Sequence, residues 1–323
     1  MSMPDKEKYC VLCERDAVVR YDFMKDIWNY VCQSCGSFGI TGNAKMDVVP
    51  KLEATERARV SACTRERIIK GLPKLLLCSD ETEHASYPGA HGVFDVIRSV
   101  FPQRIQDRFD RALANLCVST TAPGRAVQLD RHNDVIPFMM AETPDTAWFI
   151  LDEMAALGYI SKFDGSTPLV GVTVRATGIE RVQELESVSM REKSSHVFIA
   201  MWFDASTYGM FHEGLAPAVR DCGFEPRRID MKETNNKICD EIIAEIRRSR
   251  FVIADFTGQR GGVYYEAGFA QGLGIPVIWT CRKDKVKRLH FDTRQYSHIL
   301  WETPEDLNRQ LAARIRATIP GAK

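Results

Sequence analysis

The sequence predicts an α/β protein whose C-terminal part is a parallel sheet with helices on both faces. From His196 onward, apolar runs of strand length alternate with segments of helical periodicity, which is the pattern of strand–helix–strand units. Two other observations divide the rest of the chain: closely spaced cysteine pairs near the N-terminus, and a helix–helix–hairpin–helix pattern in the middle. We therefore expect three domains, with the limits 1–45, 46–190 and 191–323.

The C-terminal elements follow one another through short connections. The run FVIADFT at 251–257 is rich in β-branched and apolar residues, as expected of a strand that is covered on both faces. Five such strands in a parallel, three-layer arrangement predict a flavodoxin-like domain. The other predicted strands are 196–203, 224–230, 276–281 and 298–302, and the predicted helices are 210–222, 235–248, 261–274 and 304–319.

Four of the ten cysteines form two pairs near the N-terminus. Each pair encloses two residues, and 18 residues separate the pairs, which are Cys10 with Cys13 and Cys32 with Cys35. Two such turns present four thiolates to one tetrahedral ion and leave no open coordination position. The spacing therefore predicts a zinc ribbon with a structural zinc, and Gly36 suits the tight turn after the second pair. Four unrelated buried cysteines are the alternative interpretation, and a ribbon of this kind can contact either nucleic acid or protein.

The middle of the chain is predicted to be helical with one β-hairpin. Thr143 is expected to cap a helix that begins at Pro144 and ends at Gly158. A hairpin with its turn at Asp164-Gly165 follows, and this order of elements resembles a winged helix. The other predicted helices are 52–72, 101–117 and 177–186, the hairpin strands are 159–161 and 169–175, and residues 79–92 are expected to form a loop.

The helix before the predicted wing argues against DNA reading. Its sequence, DTAWFILDEMAA, contains Asp145, Asp152 and Glu153 but no lysine or arginine. A helix that enters a DNA groove normally carries the opposite charge. A protein contact or a packing role is therefore expected, and nucleic-acid binding is kept as an unfavoured alternative. The isolated residues His84, His91 and His132 are expected to be surface or loop histidines.

The bulk composition narrows the class of protein. The 43 basic residues equal the 43 acidic ones, so the chain has no overall bias toward nucleic acid or anionic lipid. No apolar run approaches the roughly 20 residues of a membrane helix, and the N-terminus MSMPDKEKYC lacks a signal-peptide core. Cysteines placed as metal ligands indicate a reducing compartment. We expect a soluble, cytoplasmic protein without a membrane partner.

Ligands of parallel sheets bind beyond the carboxyl ends of the strands, and this rule selects candidate site residues. Asp255 ends the third predicted strand and is a candidate catalytic residue. The candidate substrate-binding residues lie in the segments that follow the strands and are Met201, Trp202, Phe203, Asp204, Asn236, Gly261, Gly262, Tyr264, Asp292 and Arg294.

Glu266 is the only charged residue in the segment GGVYYEAGFAQGLG, which spans Gly261 to Gly274. On a helix its face holds small and apolar residues, so we expect the carboxylate to be at least partly desolvated. Burial of a carboxylate without a partner costs several kcal/mol or raises its pKa. The position therefore favours a functional role at the ligand edge, and an ion pair with Arg260 is the structural alternative.

These C-terminal segments are similar to those of a known superfamily. VFIAMWFD and FVIADFTGQRGGVYYEAGFAQGLGIPVIW resemble the nucleoside 2-deoxyribosyltransferase-like superfamily, which includes deoxynucleoside monophosphate N-glycosidases and lies close to bacterial TIR-like domains. The shared pattern is a strand that ends in Asp255, a loop with Gly261-Gly262, an E-x-G-x-A motif that begins at Glu266, and a strand that begins at Pro276. The resemblance covers about residues 195–300.

The resemblance implies cleavage or transfer of an N-glycosidic bond in a nucleoside, a nucleotide or NAD. Glu266 would be the catalytic carboxylate, and Asp255 would contact the base or assist protonation of the leaving group. Trp202 or Phe203 would stack on the base. A homo-oligomer is also expected, because neighbouring subunits commonly complete the site in this superfamily.

The sequence departs from the superfamily pattern in two ways. Met201 and Trp202 stand where the transferases have a polar residue near the first strand, although Tyr208 could substitute from the loop. The ribbon and the winged-helix-like region are not part of the basic enzyme, which favours an effector domain of a sensing or defence system. A non-catalytic nucleotide-sensing module and a nucleic-acid-binding regulator are the alternatives, and the N-terminal regions could bind a protein partner.

Overall fold

Three β-sheets organise the residues that the structure describes, which are 8–80, 83, 85–165, 167–229 and 238–323 of this computed structural model. Two of the sheets belong to the compact unit Met1–Leu185, and the third belongs to the compact unit Glu186–Lys323. No helix within these described ranges is both long and apolar enough to cross a bilayer.

The first sheet joins the cysteine-rich segment to later residues in five strands: β1 (Ala17–Asp22), β2 (Ile27–Cys32), β3 (Gly36–Thr41), β4 (Leu75–Cys78) and β5 (His91–Gly92). Strands β1 to β3 are antiparallel, whereas β4 and β5 run parallel to β3. The predicted loop 79–92 therefore ends in a short strand. The inner face of this first sheet packs against helix α1 (Ala54–Ile69). Short helical turns lie at Ala44–Val48, Val49–Lys51, Val93–Asp95 and Val96–Val100.

The second sheet is antiparallel and has three strands in the order β6-β8-β7: β6 (Val127–Asp130), β7 (Ile160–Phe163) and β8 (Leu169–Val174). Its helices are α2 (Ile105–Ser119), α3 (Pro144–Ala156) and α4 (Ala176–Lys193), with a short turn at Val135–Phe138. The predicted cap of α3 is confirmed, because the Thr143 side chain accepts a hydrogen bond from the backbone N–H of Thr146. Strand β6 was not predicted, since four residues with one buried side chain carry little periodicity.

The third sheet confirms the predicted parallel arrangement of five strands in the C-terminal unit: β9 (His196–Ala200), β10 (Glu225–Arg227), β11 (Phe251–Asp255), β12 (Val277–Arg282) and β13 (Ile299–Trp301). The strand order is β10-β9-β11-β12-β13. The helices of this unit are α5 (Ala216–Asp221), α6 (Ile238–Arg248), α7 (Gly261–Gly272) and α8 (Pro304–Thr318). Shorter turns lie at Ala205–Thr207, Met210–Leu215, Lys283–Arg288 and Phe291–Thr293.

Helices cover both faces of this parallel sheet, as predicted. All five residues of β11 are buried, and successive side chains enter different cores. Ile253 packs in the core that contains residues of α5 and α8. Ala254 packs in the core that contains residues of α6 and α7. This alternation therefore decides on which side of the sheet the last residue of each strand lies.

The predicted limits of the three domains remain predictions. Strand β4 lies beyond residue 45 and pairs with β3 of the cysteine-rich segment. The other predicted limit, near residue 190, lies inside helix α4. A polar, charged segment such as 184–195 can therefore be a solvated helix as readily as a linker, because both need exposed side chains.

Candidate functional site

The four N-terminal cysteines form one cluster. Their sulfur atoms all lie within 4.8 Å of one another. The Cys10 and Cys35 sulfurs are 3.7 Å apart, and those of Cys13 and Cys32 are 3.5 Å apart. Four Zn–S bonds of about 2.3 Å in a tetrahedron place the sulfurs roughly 3.8 Å apart. The cluster is therefore compatible with a zinc site.

The backbone after each cysteine pair turns so that the sulfurs converge. Gly36 follows the second pair with a φ of 76°, as the predicted tight turn requires, and Glu14 occupies the same place in the first pair with a φ of 61°. The backbone N–H of Cys35 points at the Cys32 sulfur at 3.5 Å, and the Ser61 hydroxyl of helix α1 donates to the Cys35 sulfur at 3.0 Å. Donors of this kind stabilise thiolates that bind a metal.

Glu266 lies in the second turn of α7, beside the face that packs on the sheet. The buried residues of that face are Val263, Ala267 and Ala270, and Glu266 at its flank is half-buried. Among the described residues Glu266 has no hydrogen-bond or ion-pair partner. Burial therefore raises the pKa of its carboxyl group to about 7. A carboxyl group in this state can act as a base, an acid or an anion near neutral pH.

Arg260 does not neutralise Glu266 in the described part of the chain. Its guanidinium group lies over the Trp202 ring, 4.3 Å from the ring centroid. Trp202 in turn packs on Gly258, where an added Cβ would lie 2.6 Å from the Trp202 Cβ. The structure thereby brings the end of β9 against the loop between β11 and α7. Asp204 follows on the same segment, and hydrogen bonds from Ser206 lower its pKa.

The first residues of α7 are exposed to solvent, and hydrogen bonds to two neighbouring loops fix the position of the first turn. Gly261 and Gly262 are exposed, and an added Cβ at either glycine would meet no atom within 4 Å. The Tyr264 hydroxyl donates to the Gln259 side chain at 3.0 Å and accepts from the His290 backbone N–H at 3.3 Å. Gln259 has a φ of 53°, which is strained for a residue with a side chain. These contacts, together with the hydrogen bond from the Val263 N–H to the Arg260 carbonyl, hold the first turn of the helix and leave Gly261 and Gly262 exposed.

Asp255 is buried at the opposite face of the sheet from α7. It is 2% exposed, and its carboxylate accepts hydrogen bonds from the Thr257 backbone N–H, the Thr280 hydroxyl and the Trp301 indole. Burial raises the pKa of Asp255, and these hydrogen bonds act in the opposite direction. The carboxylate connects the carboxyl ends of β11, β12 and β13. The structure therefore does not bring the Asp255 carboxylate to the side of the sheet where Glu266 lies.

Replacement of Asp255 by alanine is expected to destabilise the C-terminal unit by about 2–4 kcal/mol. The change leaves a buried hydroxyl and an indole N–H without an acceptor. Asp255→Asn should cost less, because the amide oxygen still accepts one of these hydrogen bonds. Urea unfolding of the purified proteins measures the difference. An unchanged unfolding midpoint in Asp255→Ala would contradict the structural role.

The remaining predicted site residues lie in different environments. Met201 is 3% exposed and packs in the core with α5 and α8. Phe203 is exposed, with the Arg228 guanidinium 5.3 Å from its ring centroid. Arg294 donates to the backbone carbonyls of Lys287 and Leu289, and Asp292 lies beside His290. Asn236 lies outside the described residues.

Comparison with known proteins does not assign a function to these residues. Comparison of the chain with protein-family models, with curated proteins and with solved structures gave no match. The N-terminal unit supplies four convergent cysteine sulfurs, and the C-terminal unit supplies a carboxyl group that has no partner among the described residues and lies beside an open helix start.

Sequence reasoning missed an aromatic stack on the α7 side of the parallel sheet. The Phe256 and Trp279 rings are stacked at 4.7 Å, and Trp279 and Tyr296 are stacked at 4.4 Å. His298 lies edge-on to Trp279, and its Nε2 is buried without a hydrogen-bond partner in the described structure. Burial lowers the pKa of His298. These residues come from three separate segments, so no local pattern in the sequence indicates that they meet.

Proposed function

We propose that the unit Glu186–Lys323 is a nucleoside 2-deoxyribosyltransferase-like domain that cleaves or transfers an N-glycosidic bond, with Glu266 as the catalytic carboxylate. The substrate class is a nucleoside, a nucleotide or NAD. The strand order, numbered along this unit as 2-1-3-4-5, supports a flavodoxin-like fold. In such folds the ligand lies beyond the carboxyl ends of the strands, where the loop before α7 begins.

The observation that carries the proposal is the half-buried Glu266 carboxyl group, which has no partner among the described residues. Fold stability favours an apolar side chain at this position, because an unpaired buried carboxylate is costly. Cleavage of an N-glycosidic bond sends the bonding electron pair to the base and leaves positive charge on the anomeric carbon. A carboxylate close to that carbon stabilises the charge or bonds to the carbon. In hydrolysis, water then supplies hydroxide to the carbon and a proton to the base.

Neighbouring groups suit the other parts of such a substrate. Phe203, which is exposed just after β9, is available to stack on a base, and Trp202 can do so once the Arg260 guanidinium leaves its ring. The exposed start of α7 at Gly261-Gly262 offers backbone N–H groups and the positive end of the helix dipole to a phosphate. Asp255 is proposed to act indirectly, since its three hydrogen bonds hold the strand ends that carry these groups.

The N-terminal unit is proposed to contain a structural zinc and a winged-helix-like region. Four sulfurs leave no coordination position for a substrate, which is the composition of structural sites. The elements α2, β6, α3, β7 and β8, with the strand order β6-β8-β7, support the winged-helix-like arrangement. The exposed residues Asp145, Asp152 and Glu153 on α3 favour a protein contact over DNA reading.

A panel of deoxynucleosides, deoxynucleotides, ribonucleotides and NAD tests the proposed activity. Each compound is incubated with the full-length protein, and free base is measured by chromatography, with and without a second base as acceptor. We expect release from at least one compound, at a rate that rises with pH through about 7 as Glu266 ionises. Tight binding of one compound without release of its base would instead favour the nucleotide-sensing module.

A further inference from the structure

The outer face of the first sheet is a concave surface that the cysteine cluster and the candidate active site do not use. It encloses about 780 Å³. Strand alternation places Val31 on this face and Cys32 on the opposite, buried face. Its lining is Val18, Arg20, Asp22, Lys25, Ile27, Asn29, Val31, Ser37, Gly39, Lys74 and Leu76, which we call the sheet groove.

Small residues at the floor of the sheet groove create its depth. At Gly39 an added Cβ would lie 3.0 Å from the Leu76 side chain and 3.4 Å from Ile27, so a larger residue would fill the groove. Val18 and Val31 lie opposite each other in the strand register, and each is 57% exposed. Solvent-exposed aliphatic side chains arranged around a hollow are typical of a surface that binds a partner.

The sheet groove carries positive charge. Arg20 and Lys25 are exposed and have no ion-pair partner within the described ranges, and Lys74 donates to Asn29. The acid of the groove, Asp22, accepts hydrogen bonds from backbone N–H groups of its own turn. The described residues of the lining include no aromatic ring on which the bases of a single-stranded nucleic acid could stack. An acidic protein element with apolar side chains is therefore the complementary partner.

Helix α3 presents such an element on its surface. The exposed residues Asp145, Phe149, Asp152, Glu153 and Ala156 recur at helical spacing and form one stripe, which we call the acidic stripe. Phe149 is 52% exposed. Lys162 pairs with Asp152, whereas Asp145 and Glu153 have no ion-pair partner in the described structure. The stripe thus combines an exposed aromatic ring with unpaired carboxylates.

We propose that the acidic stripe of one copy of this chain binds the sheet groove of a second copy. The aliphatic groove residues cover Phe149, and Arg20 and Lys25 face the carboxylates, which set the orientation of the helix. Because the two surfaces differ, the contact is head-to-tail. Such contacts close into a ring or continue as an open assembly.

This contact is tested by sedimentation velocity of the full chain, with variants in which the charges of the sheet groove or of the acidic stripe are reversed. The wild type is expected to self-associate as its concentration rises and to dissociate at high salt. The groove variant Arg20→Glu/Lys25→Glu and the stripe variant Asp145→Lys/Glu153→Lys should each associate at least about tenfold more weakly. An equimolar mixture of the two variants should associate again, because each altered surface then meets its complement.

The controls separate this contact from misfolding and from general charge effects. Lys51→Glu/Glu180→Lys changes two exposed charges outside both surfaces and should associate like the wild type. Zinc content and thermal unfolding must match the wild type in every variant, and Arg20→Gln/Lys25→Gln serves where the reversed charges disturb folding. A wild type that stays monomeric at every concentration, variants that associate normally, or a mixture that stays monomeric would each overturn the proposal.

Discussion

Glu266→Gln is expected to lower the rate of base release by about 1000-fold or more, with little change in substrate binding. Glutamine keeps the size of the side chain but cannot carry the negative charge that opposes the developing positive charge at the anomeric carbon. A lower rate with an unchanged dissociation constant would therefore show that catalysis needs the negative charge of Glu266 and not only its size and shape. The measurements are free-base release and equilibrium binding of the same substrate. Base release that survives the change would remove Glu266 from the mechanism.

The same variant should be more stable than the wild type at pH 8, by roughly 3 kcal/mol. Burial raises the pKa of Glu266 in the folded state to about 7, from 4.5 in the absence of the fold. Keeping Glu266 ionised in its desolvated position therefore lowers the free energy of unfolding. This loss of stability is absent below pH 4.5, grows between pH 4.5 and pH 7, and is complete well above pH 7. The gain in stability from Glu266→Gln should grow in the same way, and thermal unfolding at pH 5 and pH 8 measures it.

Glu213→Gln is the matched control for both measurements. Glu213 is an exposed glutamate of the same unit, so its replacement removes a charge from solvent and not from a desolvated position. Base release and the dependence of stability on pH should both equal those of the wild type. A Glu266→Gln protein that is less stable than the wild type at pH 8 would contradict the desolvated carboxylate on which the proposed function rests. A more active one would contradict the catalytic role.

Cys32→Ser/Cys35→Ser is expected to lose one bound zinc per chain and the cooperative unfolding of the N-terminal unit. Structural zinc binding is worth about 10–16 kcal/mol, which exceeds the stability of most domains. Three of the four cysteines also pack in the core that holds β3 and α1, so the loss of the site disturbs that core. Metal analysis of the purified protein and circular dichroism during heating are the measurements.

A second double variant separates zinc binding from the packing of cysteines. Cys63 and Cys78 are buried in the same unit but do not belong to the four-cysteine cluster. Cys63→Ala/Cys78→Ala should keep the full zinc content and lose only about 1–2 kcal/mol of stability. Full zinc content in Cys32→Ser/Cys35→Ser would show that the metal site is assigned to the wrong residues.

Local patterns in the sequence were sufficient for several parts of this protein. The spacing of the cysteine pairs placed four sulfurs in one cluster, because a C-x2-C turn brings two side chains together whatever surrounds it. The cap at Thr143 and the start of α3 at Pro144 were predicted from residue chemistry that acts within one turn. The alternation of apolar strands and helices predicted the parallel sheet, since each element must bury its own apolar face.

The sequence by itself thus determined the class of fold, the cysteine cluster and the unusual position of Glu266. Only the tertiary structure decided that Asp255 is held by Thr280 and Trp301, and that Arg260 covers Trp202. These partners are supplied by strands and loops distant in the chain, and a side chain's partner depends on which segments meet. The depth of the sheet groove has the same origin, because Gly39 leaves a hollow only when Leu76 of β4 lies beside it.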